Sequence, residues 1–73
     1  MNEYEIMLTW DEETQVWYCI SDDIPGLILE SGSLDLLVER ARHAVPELLE
    51  IMGFNPANAS LSFKAERRAT VFT

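Results

Sequence analysis

The spacing of the hydrophobic residues changes twice along this chain, and these changes constrain the fold more than any other feature. Residues 3–10 alternate in side-chain character, as half-buried β-strands do. Residues 15–21 alternate too, but both of their faces are apolar, which predicts a strand that is central or covered on both sides. Residues 34–52 instead repeat their apolar positions every three or four residues, which is the period of an amphipathic helix. Residues 60–72 alternate again. The pattern predicts strands before and after one helical segment.

Two polar interruptions divide the N-terminal region into three predicted strands. Asp11-Glu12-Glu13-Thr14 has the length of a hairpin loop. Asp22-Asp23-Ile24-Pro25-Gly26 is typical of a turn, because Pro restricts one backbone dihedral and Gly permits a positive φ. Residues 27–30 then form a short third strand. Three sequential strands joined by short turns predict an antiparallel meander.

The predicted helix has recognisable signals at both ends. Ser33 caps its N-terminus by accepting a hydrogen bond from a free backbone amide, and Asp35 suits the positive end of the helix dipole. Gly53 is a natural C-terminal stop, with Phe54 placed to pack back across it.

Pro46 interrupts the helical pattern. Proline lacks the amide proton that the helix needs, and its ring clashes with the preceding turn. We therefore expect either a kink near Arg42 or a division into two shorter helices.

The element order β-β-β-α-β predicts an α+β fold over residues 1–73, with an antiparallel meander, a returning strand and one helix packed on one face. A single domain is expected, since a second hydrophobic core would need roughly 50 further residues. The opposite face of the sheet would carry Met7, Trp17 and Cys19, which are too apolar to face water. We therefore expect a homodimer that covers this face.

The charge of −8 is unevenly distributed. Residues 1–39 contain ten acidic residues and no lysine or arginine, whereas residues 40–73 contain three acidic and five basic residues. This distribution disfavours direct binding of DNA or RNA, which depends on lysine and arginine. It favours encounter with a basic protein.

The residues that most often carry catalysis or bind metals have simpler interpretations here. His43 has no neighbouring group to set its tautomer, and Cys19 lies within a predicted strand as a small buried side chain. The two adjacent carboxylates Asp22 and Asp23 are far fewer than the oxygens that calcium requires. We expect no catalytic residue, no metal and no cofactor. A degenerate nuclease using Asp22 or Asp23 is a third, weaker hypothesis.

Two tryptophans flank the first predicted hairpin. Trp10 and Trp17 are placed either to pack in the core or an interface, or to stack on a ligand. The second arrangement gives an alternative function, a stand-alone small-molecule-binding module that uses this region and the dimer seam as its pocket.

The segment Ser21-Asp22-Asp23-Ile24-Pro25-Gly26-Leu27, followed by Glu30-Ser31-Gly32-Ser33-Leu34 at the start of a helix, resembles the HicB-like antitoxin family. The similarity extends over nearly the whole chain. Pro46-Glu47-Leu48-Leu49 is similar to short, stand-alone, uncharacterised bacterial members. The resemblance implies a partial ribonuclease H-like fold without that enzyme's catalytic carboxylates. It also implies binding to a small basic toxin ribonuclease of the HicA type.

Many members of that family carry a C-terminal DNA-binding module, and we expect none within residues 1–73. The leading hypothesis is therefore a cytoplasmic, non-catalytic interaction domain without a membrane partner. Its acidic turns and helix start would bind a basic protein, with neighbouring apolar residues as anchors. The carboxylates expected to attract that partner are Asp11, Glu12, Glu13, Asp22 and Asp23.

Overall fold

The computed structural model describes residues 2–57 and 59–71, and these form an α+β fold in the predicted β-β-β-α-β order. The strands are β1 (Asn2–Asp11), β2 (Val16–Ile20), β3 (Leu29–Ser31) and β4 (Ala59–Glu66), and the helix α1 spans Leu34–Ile51.

The four strands form one mixed sheet in the order β3-β2-β1-β4. β1 pairs antiparallel with β2, and β2 with β3, which confirms the predicted meander. Helix α1 then returns the chain to the other side of β1, where β4 pairs parallel with it from Asn2↔Ala59 to Thr9↔Glu66. A helical crossover is the usual way to join strands that run parallel. β1 is therefore central, and β4 is an edge strand.

The first hairpin fixes which side chains share a face. The backbone N–H of Gln15 donates to the carbonyl oxygen of Asp11 over 2.8 Å, and Gln15 has a left-handed φ of 60°. This loop sets Val16 opposite Asp11 and Trp17 opposite Trp10. Residues directly opposite each other point to the same side of a sheet, so the loop determines the face of every β2 side chain.

The prediction that Trp17 and Cys19 lie on the uncovered face is wrong. Cys19 is opposite the buried Leu8 and is itself completely buried beneath α1, and Trp17 is on the same face. Met7 is on the uncovered face as expected, where its β2 companions are Val16, Tyr18 and Ile20. Both alternating sets of β2 are apolar, so alternation did not distinguish them. Two of the three residues that suggested a dimer over the open face are therefore beneath the helix.

The core lies between α1 and the sheet. Its fully buried hydrophobic residues are Ile6, Leu8, Cys19, Ile24, Leu27, Leu37, Ala41, Val45 and Leu49. The helical members recur every four residues, which confirms the apolar stripe expected from the sequence. Burial raises the pKa of the Cys19 thiol, and a hydrogen bond from the backbone of Leu29 partly opposes this shift.

Both helix ends have the predicted caps. The Ser33 hydroxyl accepts a hydrogen bond from the backbone N–H of Leu36 over 3.3 Å. At the other end Gly53 has a φ of 86°, its N–H donates to the carbonyl of Glu50 and the N–H of Phe54 donates to that of Leu49. This is the Schellman arrangement, in which a left-handed glycine satisfies the last carbonyls of the helix.

Pro46 does not divide the helix. The residues on both sides of it belong to the single helix α1. Proline removes one hydrogen bond, but the buried stripe at Ala41, Val45 and Leu49 continues through this position and holds both turns against the sheet.

Two strand boundaries differ from those predicted. β3 covers Leu29–Ser31 rather than residues 27–30, because Ile24 and Leu27 both turn into the core as part of the preceding loop. β4 ends at Glu66 rather than near residue 72, which lies outside the described residues. Residues 67–71 form neither helix nor strand. Within the described ranges, no helix combines the length and hydrophobicity that crossing a bilayer requires.

Candidate functional site

The five carboxylates predicted to bind a partner fall into two groups at different positions along β1. We call these groups the hairpin acids (Asp11, Glu12 and Glu13) and the loop acids (Asp22 and Asp23). Asp23 contacts Glu5, six residues before Asp11 on the same strand. At about 3.3 Å per residue, roughly 20 Å of strand separates the two groups. The structure therefore does not bring the five side chains into one patch.

Ser21 and Asp23 extend the hydrogen bonding of β1 beyond the end of β2. The Asp23 Oδ2 atom accepts a hydrogen bond from the backbone N–H of Glu5 over 2.8 Å, and the Ser21 hydroxyl donates to the Glu5 carbonyl over 2.6 Å. The Ser21 hydroxyl also accepts from the N–H of Asp23. Among the described residues, the Asp22 carboxylate has neither a hydrogen-bond donor nor an ion-pair partner. Asp23 therefore positions the loop, and Asp22 is available to a ligand.

Buried apolar side chains hold this loop in place. Ile24 is 0% exposed and Leu27 only 2% exposed. The N–H of Leu27 donates to the carbonyl of Ile24 over 3.2 Å, which closes a turn with Pro25 and Gly26 at its centre. Gly26 has a φ of 93°, as the third position of a type II turn requires. The predicted turn is thus confirmed, and it fixes the loop acids to the core.

An open groove of about 520 Å³ lies beside the loop acids, and we call it the acidic groove. Its lining is Glu3, Tyr4, Asp22, Asp23, Pro25, Met52 and Phe54. Phe54 is 50% exposed and Met52 37% exposed, so Phe54 does not pack back over the helix end as fully as the sequence suggested. The groove combines carboxylates with accessible apolar surface.

Sequence reasoning missed half of this groove. Glu3, Tyr4, Met52 and Phe54 are distant from the loop acids along the chain, and only the return of α1 brings its C-terminal end to the start of β1. The Gly53 stop was visible in the sequence, but the direction in which the next side chain points was not.

The hairpin acids Asp11 and Glu12 accept hydrogen bonds from other residues of the hairpin. The Asp11 Oδ1 atom accepts hydrogen bonds from the backbone N–H groups of Glu13 and Thr14. Glu12 accepts one from the Trp10 indole N–H over 2.7 Å and one from the Gln15 side chain. These contacts stabilise a tight polar loop.

Basic side chains also lie near the hairpin acids. The Arg67 guanidinium is 4.1 Å from the centre of the Trp10 ring. Arg67 and Arg68 line a surface depression together with Glu12. Arginine side chains therefore lie beside the hairpin acids, whereas none of the described residues that line the acidic groove is basic.

All five basic residues of the chain contact other parts of it. The contacts are Arg40 with the Glu30 carbonyl, Arg42 with Glu39, Lys64 with Glu5, Arg67 with Trp10, and Arg68 with Glu66. Among the described residues, none of the five candidate carboxylates has a basic group within 4.0 Å. An incoming basic partner would therefore not need to displace an existing ion pair from them.

The tryptophan pair is already in contact with other side chains. The Trp10 and Trp17 rings meet edge to face with their centres 5.5 Å apart. Arg67 lies over Trp10, and Trp17 packs against the hydrophobic core. Stacking of a ligand on that face of Trp10 would require Arg67 to move.

The remaining candidates occupy separate positions. His43 is 79% exposed on α1, with its Nε2 atom 3.3 Å from Glu39, and Cys19 is buried in the core. In the part of the chain that the structure describes, no three His, Cys, Asp or Glu side chains converge as metal ligands do.

Nearly the whole chain resembles known proteins, and the matches are to proteins of unassigned function. The chain resembles the crystal structure of the hypothetical protein TTHA1013 from the extremely thermophilic bacterium Thermus thermophilus, with a TM-score of 0.82 and 36% sequence identity. The match covers 97% of this chain and 100% of that one. No curated protein matches. The family described as a domain of unknown function, DUF1902, matches residues 3–73. The chain is therefore a member of the DUF1902 family.

Proposed function

We propose that this chain is a non-catalytic protein-interaction domain, a HicB-like antitoxin that neutralises a basic toxin ribonuclease of the HicA type. The observation that carries the proposal is the acidic groove, where carboxylates lie beside exposed apolar side chains and none of the described lining residues is basic. We place this activity in the cytoplasm, where such a toxin would meet RNA.

The composition of the acidic groove suits a basic partner. Protein interfaces concentrate binding energy in a few apolar or arginine anchors, surrounded by a polar rim. Phe54 and Met52 offer apolar surface, and Asp22 offers a carboxylate to a lysine or arginine. Such a groove can accept an arginine by contacting its aliphatic stem and pairing with its guanidinium.

The wider charge distribution supports the same partner class. The net charge of −8 is the sum of −10 from residues 1–39, which lack lysine and arginine, and +2 from residues 40–73. A field of this sign accelerates encounter with a cationic protein and slows encounter with nucleic acid. The hairpin acids then contribute to steering, while the acidic groove makes the direct contact.

The fold is compatible with the family that the sequence resembles. That resemblance implies a β-β-β-α-β order, and this is the order of the elements here. Fold alone does not establish function, so the proposal depends on the groove.

A charge-reversal pair tests the proposal directly. Asp22→Lys alters the acidic groove, and Glu47→Lys makes the same change in net charge on the exposed surface of α1. The probe is a purified, catalytically inactivated HicA-type toxin that is immobilised on a sensor, and biolayer interferometry measures the rate at which this chain associates with it. We expect wild type to associate at a rate that falls with added salt. Asp22→Lys should slow association about tenfold, and Glu47→Lys much less.

Three outcomes would contradict the proposal. Failure of the wild-type chain to bind such toxins is the first, and equal effects of the two variants is the second. The third is cleavage of RNA by the chain alone that disappears in Asp22→Asn, which would identify a nuclease. A saturable rise in melting temperature with a metabolite, without toxin binding, would instead support the small-molecule module.

A further inference from the structure

The outer side of β4 is an open edge of the sheet. In the described ranges, β4 pairs with β1 on one side and with no strand on the other. A strand in this position presents unpaired backbone N–H and C=O groups that another strand can pair with. The polar face of β4 carries Ser60, Ser62, Lys64 and Glu66, and its other face carries Ala59, Leu61, Phe63 and Ala65.

A groove with mostly apolar lining, to which Arg42 and Ser60 also contribute, follows this edge, and we call it the helix–β4 groove. Helix α1 lies over β2 and β3, so it covers β4 incompletely. Phe63 is only half-buried, although its β1 partner Ile6 is fully buried, and Leu61 is half-buried like its own β1 partner Tyr4. The resulting groove has a volume of about 480 Å³, and Val45 and Leu49 form part of its helical wall.

Residues 67–71 continue the alternation of β4 beyond its last paired residue. Arg67 contacts Trp10, which shares a face with Leu8 and Ala65. The Arg68 side chain meets that of Glu66, two residues earlier, as side chains on one face of a strand do. Ala69 and Val71 therefore share the parity of the apolar face, and Val71 is 83% exposed.

We propose that β4 and residues 67–71 pair antiparallel with the same segment of a second copy of this chain, with Ala65 opposite the partner's Ala65. Such a two-fold contact joins two four-stranded sheets into one and places both helices on the same side. This inference does not depend on the proposed antitoxin function.

Charge complementarity selects this register among those that keep both helices on one side. With the axis at Ala65, Lys64 lies opposite the partner's Glu66, and the pair occurs twice. Within one chain these two residues also contact Glu5 and Arg68 respectively, so the contact between copies extends existing ion pairs. If the two-fold axis instead passed through Lys64 or Glu66, that residue would face the same residue of the partner, and the two like charges would destabilise the strand pair. With the axis at Phe63, Lys64 faces a serine and gains no ion pair.

In the same register, the C-terminal residues of one copy fill the helix–β4 groove of the other. Ala69 lies opposite the partner's Leu61, and Val71 lies opposite the partner's Ala59. The exposed Val71 of each copy is thereby buried against the groove of the other. Pairing over residues 59–71 extends for roughly 40 Å at about 3.3 Å per residue.

Disulfide trapping tests both the contact and its register. In Ala65→Cys the two new cysteines face each other across an antiparallel pair, where Cα atoms are about 4.5–5.5 Å apart and a disulfide can form. In the control Ser62→Cys, roughly 20 Å separates the corresponding cysteines. Cys19 is buried and does not interfere. We expect wild type to sediment as a dimer, and mild oxidation to cross-link Ala65→Cys but not Ser62→Cys.

A charge swap provides an independent measurement on the folded chain. Lys64→Glu should weaken the dimer about tenfold, and the double variant Lys64→Glu with Glu66→Lys should recover most of that loss. Circular dichroism checks that each variant is folded. A wild-type monomer at every concentration would overturn the proposal. A dimer that cross-links through Ser62→Cys but not Ala65→Cys, or a charge swap without recovery, would also overturn it.

Discussion

Truncation of Ile24 should show that the loop bearing Asp22 and Asp23 is held by the hydrophobic core. Ile24 lies outside every strand and helix, yet its side chain is 0% exposed within the cluster that includes Leu27 and Leu37. Ile24→Ala removes buried carbons and leaves a cavity, which typically costs about 2–5 kcal/mol. A chain of this length has a total stability of only about 4–11 kcal/mol. We therefore expect the variant to lose a large fraction of its folding free energy.

The same loop contains a matched control. Ile28 is chemically identical to Ile24 but 77% exposed, so Ile28→Ala should change stability by no more than about 0.5 kcal/mol. Ile24→Val removes a single carbon and should cost about 0.5–1.5 kcal/mol. The predicted loss of stability is therefore greatest for Ile24→Ala, smaller for Ile24→Val and smallest for Ile28→Ala. The difference between the two alanine variants depends on burial, since both replace an isoleucine.

Urea denaturation followed by circular dichroism measures these differences. A loss of about 3 kcal/mol in Ile24→Ala corresponds to a fall in Tm of roughly 12–24 °C for a domain of this size. If Ile24→Ala and Ile28→Ala were equally stable, or if Ile24→Ala lost under about 1 kcal/mol, the loop would not be anchored as described.

Three other perturbations have expected outcomes. Gly26→Ala should lower the free energy of unfolding by about 1–2 kcal/mol, because alanine is strained at a φ of 93°. An added Cβ meets no atom at Gly26 or at Gly32, and Gly32 has no such φ, so Gly32→Ala should not show this loss in the same urea titration. Ser33→Ala should cost about 1 kcal/mol in that assay through loss of the helix cap, and Ser33→Asp should retain most of the stability. Burial raises the pKa of the Cys19 thiol, so the folded chain keeps a proton that the unfolded chain releases above about pH 8.5. Stability should therefore fall as pH rises beyond that value, and Cys19→Ala should reduce the slope.

The candidate site illustrates what sequence reasoning can and cannot supply. The acidic residues and the Pro25-Gly26 turn were identifiable because residue type and turn chemistry are local properties. Their division into two separated groups was not identifiable, since it depends on which part of β1 each loop meets. The contribution of Phe54 depends on the path of α1 over the sheet.

The assignment of faces in β2 failed for a specific physical reason. Trp17 and Cys19 alternate with three residues that are also apolar, so either set was a plausible core face. The left-handed Gln15 sets the register of the hairpin, and a non-glycine residue in that conformation has no distinctive sequence signal. A shift of one residue would have exchanged the two sets completely.

The sequence by itself determined the order of the elements, the buried stripe of α1 and both of its caps, because hydrophobic period and capping act over a few residues. Only the tertiary structure decided that Pro46 leaves α1 undivided, that β4 pairs parallel with β1, and that the loop acids share a groove with Phe54. These features arise from contacts between residues distant in the chain. Their free energies are set by packing and register, and local propensity does not encode them.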